Sequence, residues 1–204
     1  MKLKLLLSAL LILLVTPSQA VEAVLTDDTS FSSKPTPGRG GHPHLNLGEA
    51  ESVYLKFDLA AVLPGGVTSS QVAKATVRLW VNKVTRPGAC IARAVQSPWR
   101  EENRVFPPPV VEPPPAVSGG GAIHRDARKF IVLDVTDIVR SWLDGAPNHG
   151  IVIRGANLGV LHIFEEGNPG PQPPLIARFD SKENTGTGRA PMLQVVLQNP
   201  AVAP

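Results

Sequence analysis

Short stretches in which apolar and polar residues alternate recur along the chain between turn signals, the period of a half-buried β-strand. In residues 53–59, Val53, Leu55, Phe57 and Leu59 point one way while Tyr54, Lys56 and Asp58 point the other. Pro64-Gly65-Gly66 then marks a turn. Ala73, Ala75, Val77, Leu79 and Val81 alternate with Lys74, Thr76, Arg78, Trp80 and Asn82. Comparable runs occupy 90–95, 130–135, 150–154, 160–164, 175–179 and 192–198, with a first strand near 21–25. The pattern predicts about nine short strands. Joined by Gly/Pro-rich connections, they imply an all-β fold, a β-sandwich of jelly-roll type.

One segment changes period. Ile138, Val139, Trp142 and Leu143 fall on a single helical face, which predicts a short capping helix over 136–144 at one end of the sandwich. Thr136 is the expected N-cap, Asp137 suits the positive helix start, and Gly145 can end the helix at positive φ. Trp142 is then a core plug. Residues 104–126 differ again: Pro107-Pro108-Pro109, Pro113-Pro114-Pro115 and Gly119-Gly120-Gly121 read as an inserted surface loop. A Pro-rich contact with a protein partner is the alternative reading of that loop.

Residues 1–20 read as a secretory signal peptide. Lys2 and Lys4 precede an apolar run, and small residues lead up to Ala20, where cleavage would leave a chain beginning at Val21. The run is too short to span a membrane, for which about 20 apolar residues are needed. Residues 21–204 are expected to form a single secreted or periplasmic domain. The full chain of 204 residues carries 20 Lys and Arg against 17 Asp and Glu; without Lys2 and Lys4 the net charge falls to +1. That balance lacks the basic footprint of a nucleic-acid binder. With 21 Pro and 18 Gly a helix bundle is excluded, and a lone cysteine excludes an intrachain disulfide framework. Cys90 lies in an alternating run and reads as a small buried hydrophobe.

The order of segments resembles a known family, the secreted DNRLRE domain, also called carbohydrate-binding module family 96 and related to a disaggregatase. Asp28-Thr29 with Phe31, and Leu45-Asn46-Leu47-Gly48, are similar to the family's start. Tyr54-Leu55-Lys56-Phe57-Asp58-Leu59 followed by Val72-Ala73-Lys74-Ala75-Thr76-Val77-Arg78-Leu79-Trp80-Val81 is similar to its best-marked stretch. Ser97-Pro98-Trp99-Arg100-Glu101-Glu102, the 133–142 segment with Asn148-His149-Gly150-Ile151, and Phe179-Asp180-Ser181-Lys182-Glu183 resemble later landmarks. The hexapeptide of the family name is absent, and the Pro/Gly insertion and residues 184–189 depart from the pattern. The resemblance implies a jelly-roll sandwich, usually extracellular, some of whose members bind acidic glycans.

No nucleophile elbow is present, and no His sits in a recognised catalytic setting. Glu165 and Glu166 are adjacent, so their side chains diverge on a strand. Asp180 and Glu183 are better spaced but carry no catalytic role in the family. The expectation is therefore a non-enzymatic chain that requires no cofactor. His42-Pro43-His44 is a poor zinc pair without a Cys partner. Calcium held by loop oxygens is the metal expectation, with Asp27, Asp28 and Asn46 as candidate ligands, though without the spacing of an EF-hand.

The sharper expectation concerns the strand faces. Tyr54, Lys56, Arg78, Trp80, Arg154 and Arg178 all lie opposite apolar faces. On one sheet they would form a surface of rings and cations suited to an acidic polysaccharide, rings stacking on sugars and Arg gripping carboxylates. Ser181, Lys182 and Glu183 could line the cleft. The alternative is that Tyr54 and Trp80 lie under a loop and the cations merely solvate the outside. A structural or adhesive extracellular subunit is the rival function.

Overall fold

A computed structural model describes residues 19–33, 39–102, 118–122, 124–156 and 173–198. They form ten strands and one α-helix: β1 Gln19–Ser32, β2 His44–Leu47, β3 Glu51–Asp58, β4 Val72–Arg86, β5 Gly88–Ala94, β6 Ser118–Ala122, β7 Phe130–Asp134, α1 Thr136–Leu143, β8 Ile151–Ala156, β9 Ile176–Asp180 and β10 Met192–Leu197. The strands pair antiparallel in the order β2-β9-β4-β10-β1-β3-β8-β5-β6, with β7 also on β4.

Two long strands hold the layers together because each changes partner midway. The first half of β1 pairs with β10 and its second half with β3. The first half of β4 pairs with β10 and β7, and its second half with β9. The alternating residues Leu55 and Phe57, Val77 and Leu79, Ile151 and Ile153, Phe179, and Leu193 and Val195 turn inward to one continuous core. The chain is thus an all-β sandwich with one short helix. No helix among the described residues is long and apolar enough to cross a membrane.

Helix α1 covers one end of that core with Ile138, Val139 and Trp142 buried, as its spacing requires, and Gly145 follows it at φ 100°. Its start differs from the expectation. The N-cap position is Val135, and the orphan Thr136 N–H donates instead to Asp134 Oδ1 at 2.9 Å. The Thr136 hydroxyl oxygen accepts the Ala75 N–H at 3.0 Å, which ties the helix to β4.

The second half of the expected Pro/Gly loop is also different: Ser118–Ala122 is strand β6, paired with β5. A glycine run pairs readily at an edge where bulk is unwelcome, since a Cβ on Gly120 would collide with the buried Leu133 side chain. Strand β2 was not expected from the pattern, being four residues long, and β1 extends to Ser32 beyond the expected 21–25. At its start, Gln19 and Ala20 already pair with Leu197 and Val196. The rest of the signal peptide, the triple-proline part of the insertion, the 160–164 strand and the Glu165–Glu166 pair lie outside the described residues.

Candidate functional site

The expected ring-and-cation surface does not form as a single face. Tyr54 on β3 is fully buried, at 0% exposure, in a second small core with Phe31, Val95, Trp99 and Val152. Its cause is the segment after β5, which folds back over the outside of the β1–β3–β8 sheet and places Trp99 there. Trp99 anchors the fold-back by donating its Nε1–H to the His149 carbonyl at 2.7 Å. The Phe31, Tyr54 and Trp99 rings meet edge to face, with centroids 5.0 to 6.1 Å apart. Burial raises the Tyr54 phenol above its usual pKa, against the opposing pull of a hydrogen bond and positive charge from Arg154. Arg154 therefore serves the tyrosine, and Lys56 lies 3.9 Å from the Asp27 carboxylate. Arg178 stands opposite Asn46 in the β2–β9 pair.

Arg78 and Trp80 do share one face, on the other sheet. Both are half-buried on β4, on the side opposite Val77 and Leu79. Strand β7 adds Phe130 directly opposite Trp80. The four side chains form a row: the Arg78 guanidinium sits 4.6 Å from the Phe130 centroid, the Phe130 and Trp80 rings meet edge to face at 5.0 Å, and the Arg189 guanidinium lies 3.8 Å over the Trp80 ring. Beside this row Trp80, Asn82, Arg128, Asp180, Thr187 and Arg189 line an open cleft of about 540 Å³. The cleft is internally braced, because Asp180 accepts hydrogen bonds from Asn82 at 3.1 Å and Thr187 at 3.0 Å. Arg128 adopts φ 65° there, a left-handed conformation that is uncommon for a residue with a side chain. Phe130, Arg128 and Arg189 escaped the sequence reading; the apolar start of β7 opposite Trp80 was the available signal for Phe130, and nothing local marked the other two.

A second cluster gathers at the turn after β9. A bulge in β1, between Leu25 and Asp27, shifts the strand's register so that Asp28 lies opposite Leu55. Directly opposite residues share a face, so the carboxyl is carried to the inner side and is 1% exposed. Its Oδ2 accepts the Lys182 N–H at 2.8 Å. Lys182 Nζ contacts Glu101 at 2.7 Å and also the Glu183 carboxylate. Burial pushes Asp28 up to about 8, against the Lys182 backbone hydrogen bond and with help from the neighbouring Glu183 charge. Burial also opposes ionisation of Glu183, but hydrogen bonds with Lys182, Asp28 and Ser181 outweigh it and lower its pKa. For Lys182 burial disfavours the charge, yet Glu101 and Glu183 win and raise its pKa.

The sequence-derived residues Asp28, Lys182 and Glu183 are thus brought together, with Ser181 Oγ 3.0 Å from Glu183. Glu101 joins them from the fold-back segment. Asp27 and Asn46 do not join as ligands. The Asp27 carboxylate already accepts from the Thr26 hydroxyl and the Glu101 N–H, with Lys56 close by. Asn46 reaches Ser30 only through its backbone N–H. The His42 and His44 rings are tilted at 59° with centroids 6.0 Å apart, and His44 Nδ1 lies 3.8 Å from Asp180. Cys90 is buried and free, and burial pushes its thiol up to about 12.

The chain matches no protein-family model and no curated protein. What the fold and the two clusters define is a class: a β-sandwich with an aromatic, arginine-rich cleft on one sheet and a separate carboxylate group gathered at the turn after β9.

Proposed function

We propose that the protein is a secreted, non-catalytic module that binds an acidic polysaccharide in the Trp80 cleft. The observation that carries this reading is the Arg78–Phe130–Trp80–Arg189 row beside a cleft lined by Arg128, Asn82 and Asp180. Stacking on Trp80 holds the Arg189 guanidinium flat, so its N–H edge is presented as a fork for a sugar carboxylate. Arg128 supplies a second fork from the same cleft. Asn82 and Asp180 offer the donors and acceptors that sugar hydroxyls require. The resemblance to the DNRLRE family, drawn from separate stretches of the chain, supports the same reading.

Affinity electrophoresis tests it. The protein should be retarded in gels containing alginate or polygalacturonate and run freely in gels containing a neutral glucan. Trp80→Ala and Arg189→Ala should each abolish most of the retardation while the fold persists. Unchanged retardation in both variants would refute the cleft, and retardation by neutral glucan alone would refute the acidic ligand.

A further inference from the structure

We propose that Asp28, Glu101 and Glu183 form a site for one calcium ion, which the Lys182 ammonium holds when no metal is bound. One carboxylate oxygen from each residue lies within 4.8 Å of the others. The three arrive from separate parts of the chain: the bulged strand β1, the fold-back after β5 and the turn after β9. An acidic cluster on a surface would mean little, but this one contains a carboxyl that is only 1% exposed, and its Oδ1 receives no N–H donor while the side chain lies against a second acid, Glu183. The Lys182 ammonium reaches Glu101 and Glu183, whereas Asp28 receives only the Lys182 backbone N–H, on Oδ2. Three carboxyls therefore face one ammonium, and the buried Asp28–Glu183 contact brings two acids together around a single positive centre, a shared proton that a metal ion can replace.

The donor set selects the cation. All-carboxylate oxygen ligands suit hard cations rather than zinc or copper. An irregular group contributed by three separate segments suits calcium, which accepts six to eight oxygens in variable geometry, better than magnesium, which demands a near-ideal octahedron. Lys182 can yield its place because its side chain remains 24% exposed and its long stem can carry the ammonium into water. A calcium ion here would pin the turn after β9, which begins beside Asp180 and carries Thr187 into the Trp80 cleft. The site itself does not depend on what the cleft binds.

Isothermal titration of the chelator-treated chain with calcium chloride, paired with thermal melts, tests the site. Wild type should bind one calcium and melt at a higher temperature when calcium is present. Asp28→Asn and Glu183→Gln should each weaken binding about tenfold or more. Glu183 is partly exposed, so Glu183→Gln keeps the test valid if the buried Asp28→Asn substitution impairs folding. Lys182→Met removes the competing ammonium and should tighten binding by about fivefold. Neither heat nor a melting shift at millimolar calcium in the folded wild type would overturn the proposal. So would wild-type affinity in Glu183→Gln, weaker binding in Lys182→Met, or an equal response to magnesium.

Discussion

Replacing the two rings that the strand pattern treats as equivalent should have very different consequences. Tyr54 lies fully buried in the small outer core and makes edge-to-face contacts with both Phe31 and Trp99. Truncating such a ring to alanine opens a cavity and should cost about 3–5 kcal/mol. At about 2–4 °C per kcal/mol for a domain of this size, the melting temperature should fall by roughly 6–20 °C. Trp80 is half-buried, with one ring partner in Phe130 and one stacked cation in Arg189. The ring pair is worth about 0.5–1.5 kcal/mol, and an exposed cation–π contact about 0.5–1 kcal/mol. Trp80→Ala should therefore cost about 1–2.5 kcal/mol and shift the melt by about 2–10 °C, the smaller of the two effects. Urea titrations followed by far-UV circular dichroism measure both without relying on the fluorescence of the mutated residue. Equal losses for Tyr54→Ala and Trp80→Ala, or a Tyr54→Ala protein as stable as wild type, would refute the placement of Tyr54 beneath the fold-back segment.

Two further outcomes follow from single positions. Gly150 sits at φ 92°, and a Cβ there would run into the Leu55 carbonyl, so Gly150→Ala should destabilise the protein by about 2 kcal/mol or more in the same urea assay; a neutral result would mean that the β3–β8 connection is looser than described. Cys90 is buried with its thiol pushed up to about 12, so at pH 8 it should react with a thiol reagent only as fast as the chain opens, and rapidly in denaturant. Immediate labelling of the native protein would contradict its burial.

Period-two alternation was sufficient to locate β3, β4, β5, β7, β8, β9 and β10, because a strand with one buried face writes that burial into its own residues. It was silent on β2 and β6. Four residues are too few to establish a period, and Gly119, Gly120 and Gly121 carry no side chains to alternate. The same rule explains the error over Tyr54. Alternation distinguishes the face that meets the main core from the face that does not, but it cannot show that a distant segment later covers the second face. The carboxylate group was hidden for a related reason: Asp28, Glu101 and Glu183 are far apart in the chain, and while Asp28 and Glu183 read as site candidates for different reasons, Glu101 stood out only as part of a family landmark.

The amino-acid sequence by itself determined the class of fold, the inward rows of Leu55, Val77 and Phe179, the short helix with Trp142 inside, and the open side of Trp80 with Arg78. These depend on local periodicity and on residue chemistry, which are properties of neighbouring positions. Only the tertiary structure decided that Trp99 would close over Tyr54, that Phe130, Arg128 and Arg189 would complete the Trp80 cleft, and that Lys182 would stand among acids from three segments. Those outcomes depend on which remote pieces of chain meet across the sandwich. Such meetings are set by strand pairing, by the Thr26 bulge and by the path of the loops, and no window along the sequence contains them.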